Sequence, residues 1–144
     1  MKSLTFLLGI LTTLSIGFAH AGEECPECVQ LDKIKTEFKA EEKKAKPDFD
    51  ALQIKASLII EKMPATDGSM NAQKLDSYVE MLRLFIPKDP ARAILDNTRE
   101  VMRANRKAVE ARVKKLSPEE SKTILRAIDV LFKEEVRGSD PSSK

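Results

Sequence analysis

Cys25 and Cys28 stand three apart in the run Cys25-Pro26-Glu27-Cys28, the sharpest local signal for chemistry in the sequence. At the start of a helix this spacing meets the Cα separation that a disulfide needs. A helix N-terminus also lowers a thiol's pKa, which is how C-x-x-C redox centres become reactive. A thioredoxin-type centre, however, follows a strand in a βαβ pattern, and no such pattern exists here. Haem attachment needs His after the second Cys, and position 29 is Val. Two Cys without His supply half of a structural zinc site, unless two chains share one. A local staple closing a short loop, worth about 2 kcal/mol, is therefore expected of Cys25 and Cys28. An interchain bridge and redox or metal chemistry are the alternatives.

The single histidine, His20, falls in a segment expected to be lost. Met1 and Lys2 form a short basic head, Leu4 to Phe18 is apolar apart from Ser, Thr and Gly, and Ala19-His20-Ala21 offers a small-x-small cleavage site. This pattern predicts a secretory signal peptide over 1–21, too short and wrongly flanked for a stable membrane anchor. Cys25 follows Glu23 and Glu24 rather than small residues, so a lipoprotein signal is not expected. One basic residue before the apolar run fits a bacterial export substrate, periplasmic or secreted, slightly better than a eukaryotic one. Without His20 the mature chain has no histidine, which removes Ser-His-Asp and Cys-His nucleophile sites, His-ligated zinc and His-ligated haem. Carboxylates are plentiful, but none sits in an apolar context that would raise its pKa for acid–base work. No catalytic residue, metal ligand or cofactor is expected, and redox use of Cys25 and Cys28 is the enzymatic route left open.

The chain from Gly22 to Lys144 is long enough for one domain with its own core. Its charge is nearly balanced: of 25 Lys and Arg all but Lys2 remain, against 23 Asp and Glu. One local excess breaks that balance. Between Arg92 and Lys115 lie eight basic residues and three acidic ones, Asp96, Glu100 and Glu110. On a helix, Arg92, Arg99, Arg103, Arg106, Lys107 and Lys114 gather within about a third of the circumference. Such a stripe can engage phosphates or carboxylates, on lipid headgroups or on an acidic protein partner. The alternative is a solvated face paired with the Glu-rich first helix. Export and the scarcity of aromatics to stack bases argue against nucleic acid.

The elements that must position these groups are helices throughout. Leu75 to Ile86 organises them, with Leu75, Tyr78, Val79, Leu82, Phe85 and Ile86 on one stripe and Met81 and Leu84 on a second face. A helix apolar on two sides wants partners on both. Before it, Leu31, Ile34, Phe38 and Ala45 mark an outer, solvated helix from Val29 to Ala45, broken by Lys46-Pro47. Pro47 to Met63 reads as a second two-sided helix, with Phe49, Leu52, Ala56, Ile59, Ile60 and Met63 on one face and Ala51, Ile54 and Leu58 on the other. After the central stretch, Asp89 as N-cap and Pro90 at the first position open one long helix over about 90–116. Its apolar pairs recur every seven residues, with Thr98, Asn105 and Arg112 between them as a polar layer expected to border the seam and reach water. Ser117-Pro118-Glu119-Glu120 is a capping box opening a last helix that buries Ile124, Leu125, Ile128, Leu131, Phe132 and Val136 and stops at Gly138. The expected fold is an all-α, single-domain bundle of about five helices over 22–138, with 139–144 a polar, disordered tail.

Leu116-Ser117-Pro118-Glu119-Glu120 resembles the L-T-x-x-Q element of the Spy/CpxP family of periplasmic helical stress chaperones. The resemblance implies a small, exported, all-α protein that binds unfolded clients on a concave basic surface. It covers five residues, with Ser for Thr, Glu for Gln and no second copy, and a capping box accounts for the same residues without ancestry. The expectation is an exported, non-enzymatic helical protein acting on a protein partner, as an adaptor, inhibitor or immunity-type factor. An anionic partner and a homodimer are both open. A Spy/CpxP-like chaperone and a thiol-disulfide protein using Cys25 and Cys28 are the alternatives.

Overall fold

The computed structural model describes residues 25–88 and 92–138. Among these are six helices and no strand: α1 (Pro26–Glu42), α2 (Asp50–Glu61), α3 (Ala72–Phe85), α4 (Ala93–Asn97), α5 (Arg99–Val113) and α6 (Pro118–Gly138). The all-α bundle is as expected. The signal segment, the Asp89-Pro90 helix start and the tail lie outside the described residues.

α3 is the hub. It packs against each of the other five helices, and Leu75, Tyr78, Val79, Met81, Leu82 and Phe85 are all buried. Its apolar residues are covered because α1, α2, α4, α5 and α6 all pack around it. Asn71 opens it, its side-chain oxygen accepting the Lys74 backbone N–H at 2.9 Å and satisfying one of the unpaired first-turn donors. Phe85 meets Phe38 of α1 edge-on at 5.0 Å between ring centres, and Phe38 in turn contacts Phe49 at 4.7 Å.

α1 starts at Pro26, three residues before the expected Val29, because Pro26 has no N–H to leave unpaired at the first helical position. It ends at Glu42, and Ala45 is exposed rather than part of its stripe. Glu41 then ties the connection to α2. Its carboxylate accepts the Asp48 N–H and the Lys44 ammonium, each at 2.8 Å, and these bonds, Lys44's first, hold it below the usual carboxylate range.

The long helix expected over 90–116 is interrupted. Thr98 leaves helical geometry at φ −111°, ψ 29° and separates α4 from α5. Its hydroxyl donates to the Ile94 carbonyl one turn back, an arrangement that competes with regular helical bonding and bends helices. Ser117 caps α6 as expected, its hydroxyl accepting the Glu120 N–H at 3.3 Å. Ile124, Ile128 and Leu131 of α6 are buried together with Ala127, while Leu125 and Phe132 are half-buried. The Val136 side chain lies outside the described ones.

Candidate functional site

Cys25 and Cys28 form a disulfide with their Cα atoms 5.2 Å apart. Cys25 is also the N-cap of α1, its sulfur accepting the Cys28 N–H at 3.1 Å. Both residues are buried in the core cluster. The bond closes the first turn of α1 on itself, and the cap N–H is the hydrogen bond made to it among the described residues.

The six cations of the expected stripe do not form one free face. Arg92 precedes α4 in the left-handed region at φ 55°, and the break at Thr98 takes it out of register with α5. Arg99 reaches Asp96 at 3.7 Å, and Arg103 bonds Glu100. Arg106 is part of the helix packing: its guanidinium bonds Glu110 at 2.9 Å and Asp129 of α6 at 3.2 Å, and lies 4.5 Å from the centre of the Phe132 ring. The three acids of the segment are therefore partners of its arginines, and none of these pairs involves α1. Lys107 and Lys114 are exposed and make no ion pair among the described residues.

The polar layer differs from expectation too. Thr98 and Asn105 are buried, not bordering water. Tyr78, fully buried at the centre of α3, sets its hydroxyl 2.9 Å from Thr98 Oγ1; since Thr98 donates onward to Ile94, the phenol is the donor. Burial pushes the phenol's pKa up, and the bond to Thr98 offsets only part of this. Asn105 accepts the Met70 N–H at 2.9 Å and donates to the Gly68 carbonyl at 3.0 Å and the Val101 carbonyl at 2.8 Å. It thus clamps the 65–71 loop onto α5. Gly68 in that loop has φ +81°, open to glycine without strain, and an added Cβ would meet Ala104 Cβ at 3.4 Å. Arg112 alone behaves as a rim residue, its Nε bonding Asp76 of α3 at 2.7 Å.

A network of ion pairs crosses three helices: Lys35 of α1 to Glu80 at 2.8 Å, and Arg83 to Glu80 at 3.6 Å and Glu120 at 2.7 Å. Arg83 is the first cause of the lowered pKa of Glu120. Among the described residues no group of three or more His, Cys, Asp and Glu is placed to hold a metal ion. Among the described residues no helix is long and apolar enough to cross a membrane.

The sequence reads α2 as two-sided, and its second face is the one the fold leaves open. Ala51, Ile54 and Leu58 lie opposite Leu52, Ala56 and Ile60, which are buried, but among the described residues no other helix covers them. Ile54 and Leu58 are 56% and 54% exposed, and with Val29 they are the large apolar residues open to solvent in the described structure. A third side of α2 buries Gln53 and Ser57, and the Ser57 hydroxyl has no hydrogen-bond partner among the described residues. Beside the apolar stripe runs an open cleft of about 450 Å³ between α1 and α2, which shares Ala51 with it and is also lined by Lys55. No family model, characterised protein or solved structure matches the chain.

Proposed function

We propose that this is an exported, non-enzymatic helical protein that works by binding another protein, and that the outer face of α2 is where it does so. One observation carries the reading: α2 is apolar on two sides and only one is covered. Ile54 and Leu58, one turn apart, keep more than half of their surface open. Such exposure forfeits about 25 cal/mol for each Å² that a partner could bury. The occupant is an apolar segment of a second protein, with Lys55 and Lys62 at the edge of the stripe for its polar rim. Export rests on the signal pattern of residues 1–21 and accords with the Cys25–Cys28 disulfide, since such bonds persist in oxidising compartments.

Capture from the native envelope with the mature protein as bait tests this. The reading predicts a partner retained by the wild type and lost when Ile54→Glu and Leu58→Glu are combined, with helical content unchanged. Retention of that partner by the variant removes α2 from the account. Capture of a second copy of this chain would make the partner a homodimer mate. Suppression of an unrelated client's aggregation by the wild type but not the variant would favour a Spy/CpxP-like chaperone. Thiol–disulfide exchange that needs Cys25 and Cys28 would favour the redox reading.

A further inference from the structure

A second face of the molecule has the opposite character to α2. Arg99, Arg103, Lys107, Glu110 and Lys114 share the side of α5 that lies opposite the buried Val101, Asn105 and Val109. The Arg106–Asp129 bond fixes the register of α6 beside it. Lys122, two turns before Asp129 on the same flank of α6, then comes alongside the end of α5 that carries Lys114.

Three observations define what this face can hold. The arginines that α5 contributes, side chains suited to forked, directional recognition, are already bonded to Asp96, Glu100, Glu110 and Asp129. The charges left over are three lysines and one arginine: Lys107, Lys114, Lys122 and Arg126 are exposed and form no ion pair among the described residues. Finally, the large exposed apolar residues, Val29, Ile54 and Leu58, all lie on α1 and α2. Among the described side chains, the α5–α6 face therefore lacks the buried apolar anchor around which protein interfaces are built. It equally lacks a side chain to insert among acyl chains. Cations on long stems, most of them ammonium groups and without an apolar centre, suit a broad array of negative charge recognised by Coulomb attraction.

We propose that the α5–α6 face, through Lys107, Lys114 and Lys122, rests against the anionic phospholipid headgroups of a bilayer, leaving the α2 face free for its protein partner. The attraction comes from the leaflet's surface potential, so it needs no defined headgroup pocket. It is reversible and decays within a Debye length of about 8–10 Å at ordinary ionic strength.

Sedimentation of the mature protein with vesicles tests this, using phosphatidylcholine alone and an equal mixture of phosphatidylcholine and phosphatidylglycerol at low salt. The mixed vesicles should carry the protein down, the neutral ones should not, and added salt should release it. Each lysine neutralised should lower partitioning about fivefold, so that Lys107→Gln with Lys114→Gln lowers it about 25-fold. Ile54→Glu with Leu58→Glu should leave it unchanged, which separates failure here from failure of the α2 reading. Equal binding to neutral vesicles, no binding to the mixed vesicles, or indifference to the lysine changes would overturn the proposal. So would release by inorganic phosphate at constant ionic strength, which would mean a discrete phosphate site. An acidic protein captured through the lysines in the absence of vesicle binding would overturn it as well.

Discussion

The hydroxyl of Tyr78, at the centre of α3, lies 2.9 Å from that of Thr98, at the one residue where the helical run from Ala93 to Val113 is interrupted. The most buried polar atom of the hub is thus satisfied by the residue that breaks the helix beside it. The bond carries onward to the Ile94 carbonyl, so a short chain of hydrogen bonds joins α3 to both halves of the interrupted run.

Thr98→Val should cost about 1–3 kcal/mol, because it leaves the Tyr78 hydroxyl buried without a partner. Tyr78→Phe should cost less, about 0.5–1.5 kcal/mol, since Thr98 keeps its bond to Ile94. Urea titration of the two single variants and the double variant measures the coupling, and strict additivity would show that the bond contributes nothing.

The same phenol gives a pH signature. Burial raises its pKa in the folded state above the ordinary value of about 10. Its contribution to stability is therefore complete below about pH 10 and is lost as the pH rises beyond that, when the unfolded chain ionises first. The wild type should lose more stability than Tyr78→Phe between about pH 9 and 11. Parallel curves for the two proteins would place Tyr78 in water.

Asn105→Ala should leave the buried Met70 N–H without its partner and remove a side-chain bond from the Gly68 and Val101 carbonyls. A loss of about 1–3 kcal/mol is expected, together with faster hydrogen exchange at the Met70 amide. Unchanged exchange there would mean that the 65–71 loop holds itself in place. Gly68→Ala tests the same loop from the other side, through the strain of a Cβ at φ +81°.

The hub predicts the largest core effect. Leu82 is fully buried in the middle of α3, and Leu82→Ala should cost about 2–5 kcal/mol in denaturant titration. A cost below about 1 kcal/mol would mean that the site collapses freely and α3 is not the centre of the core.

How far these features could be read from sequence depends on where each residue's partner lies in the chain. The covering of α3 was legible because Leu75, Tyr78, Val79, Leu82 and Phe85 declare a stripe by their own spacing. Thr98, Asn105 and Arg112 were visible as a seven-residue polar layer, but their partners Tyr78, Met70 and Asp76 lie 20, 35 and 36 residues away. Periodicity reports which side a residue faces and not what waits there, so two of the three were expected at the rim and are buried. Arg106 shows the same limit: its spacing put it in the basic stripe, while Asp129 and Phe132 make it part of the α5–α6 packing. In α2 the two apolar faces were legible, but a helix pattern does not say how many neighbours the fold supplies.

Protein recovered from the envelope should begin at Gly22 and carry the Cys25–Cys28 bond within one chain, as intact and reduced mass spectra will show. Replacing both cysteines with Ser should cost no more than about 2 kcal/mol, the value of closing so short a loop. Ser at position 25 can still accept the N–H at position 28 and keep the cap. A covalent dimer, or a double variant that does not fold, would contradict the local-staple reading.

The central claim is that the uncovered face of α2 holds a protein partner. Photo-crosslinking in the native envelope, with Leu58 replaced by benzoylphenylalanine and Thr123 of α6 replaced likewise as a control, addresses it directly. The account predicts one discrete crosslinked species from position 58 and none of that mass from position 123. No adduct from position 58, or the same adducts from both positions, would contradict it.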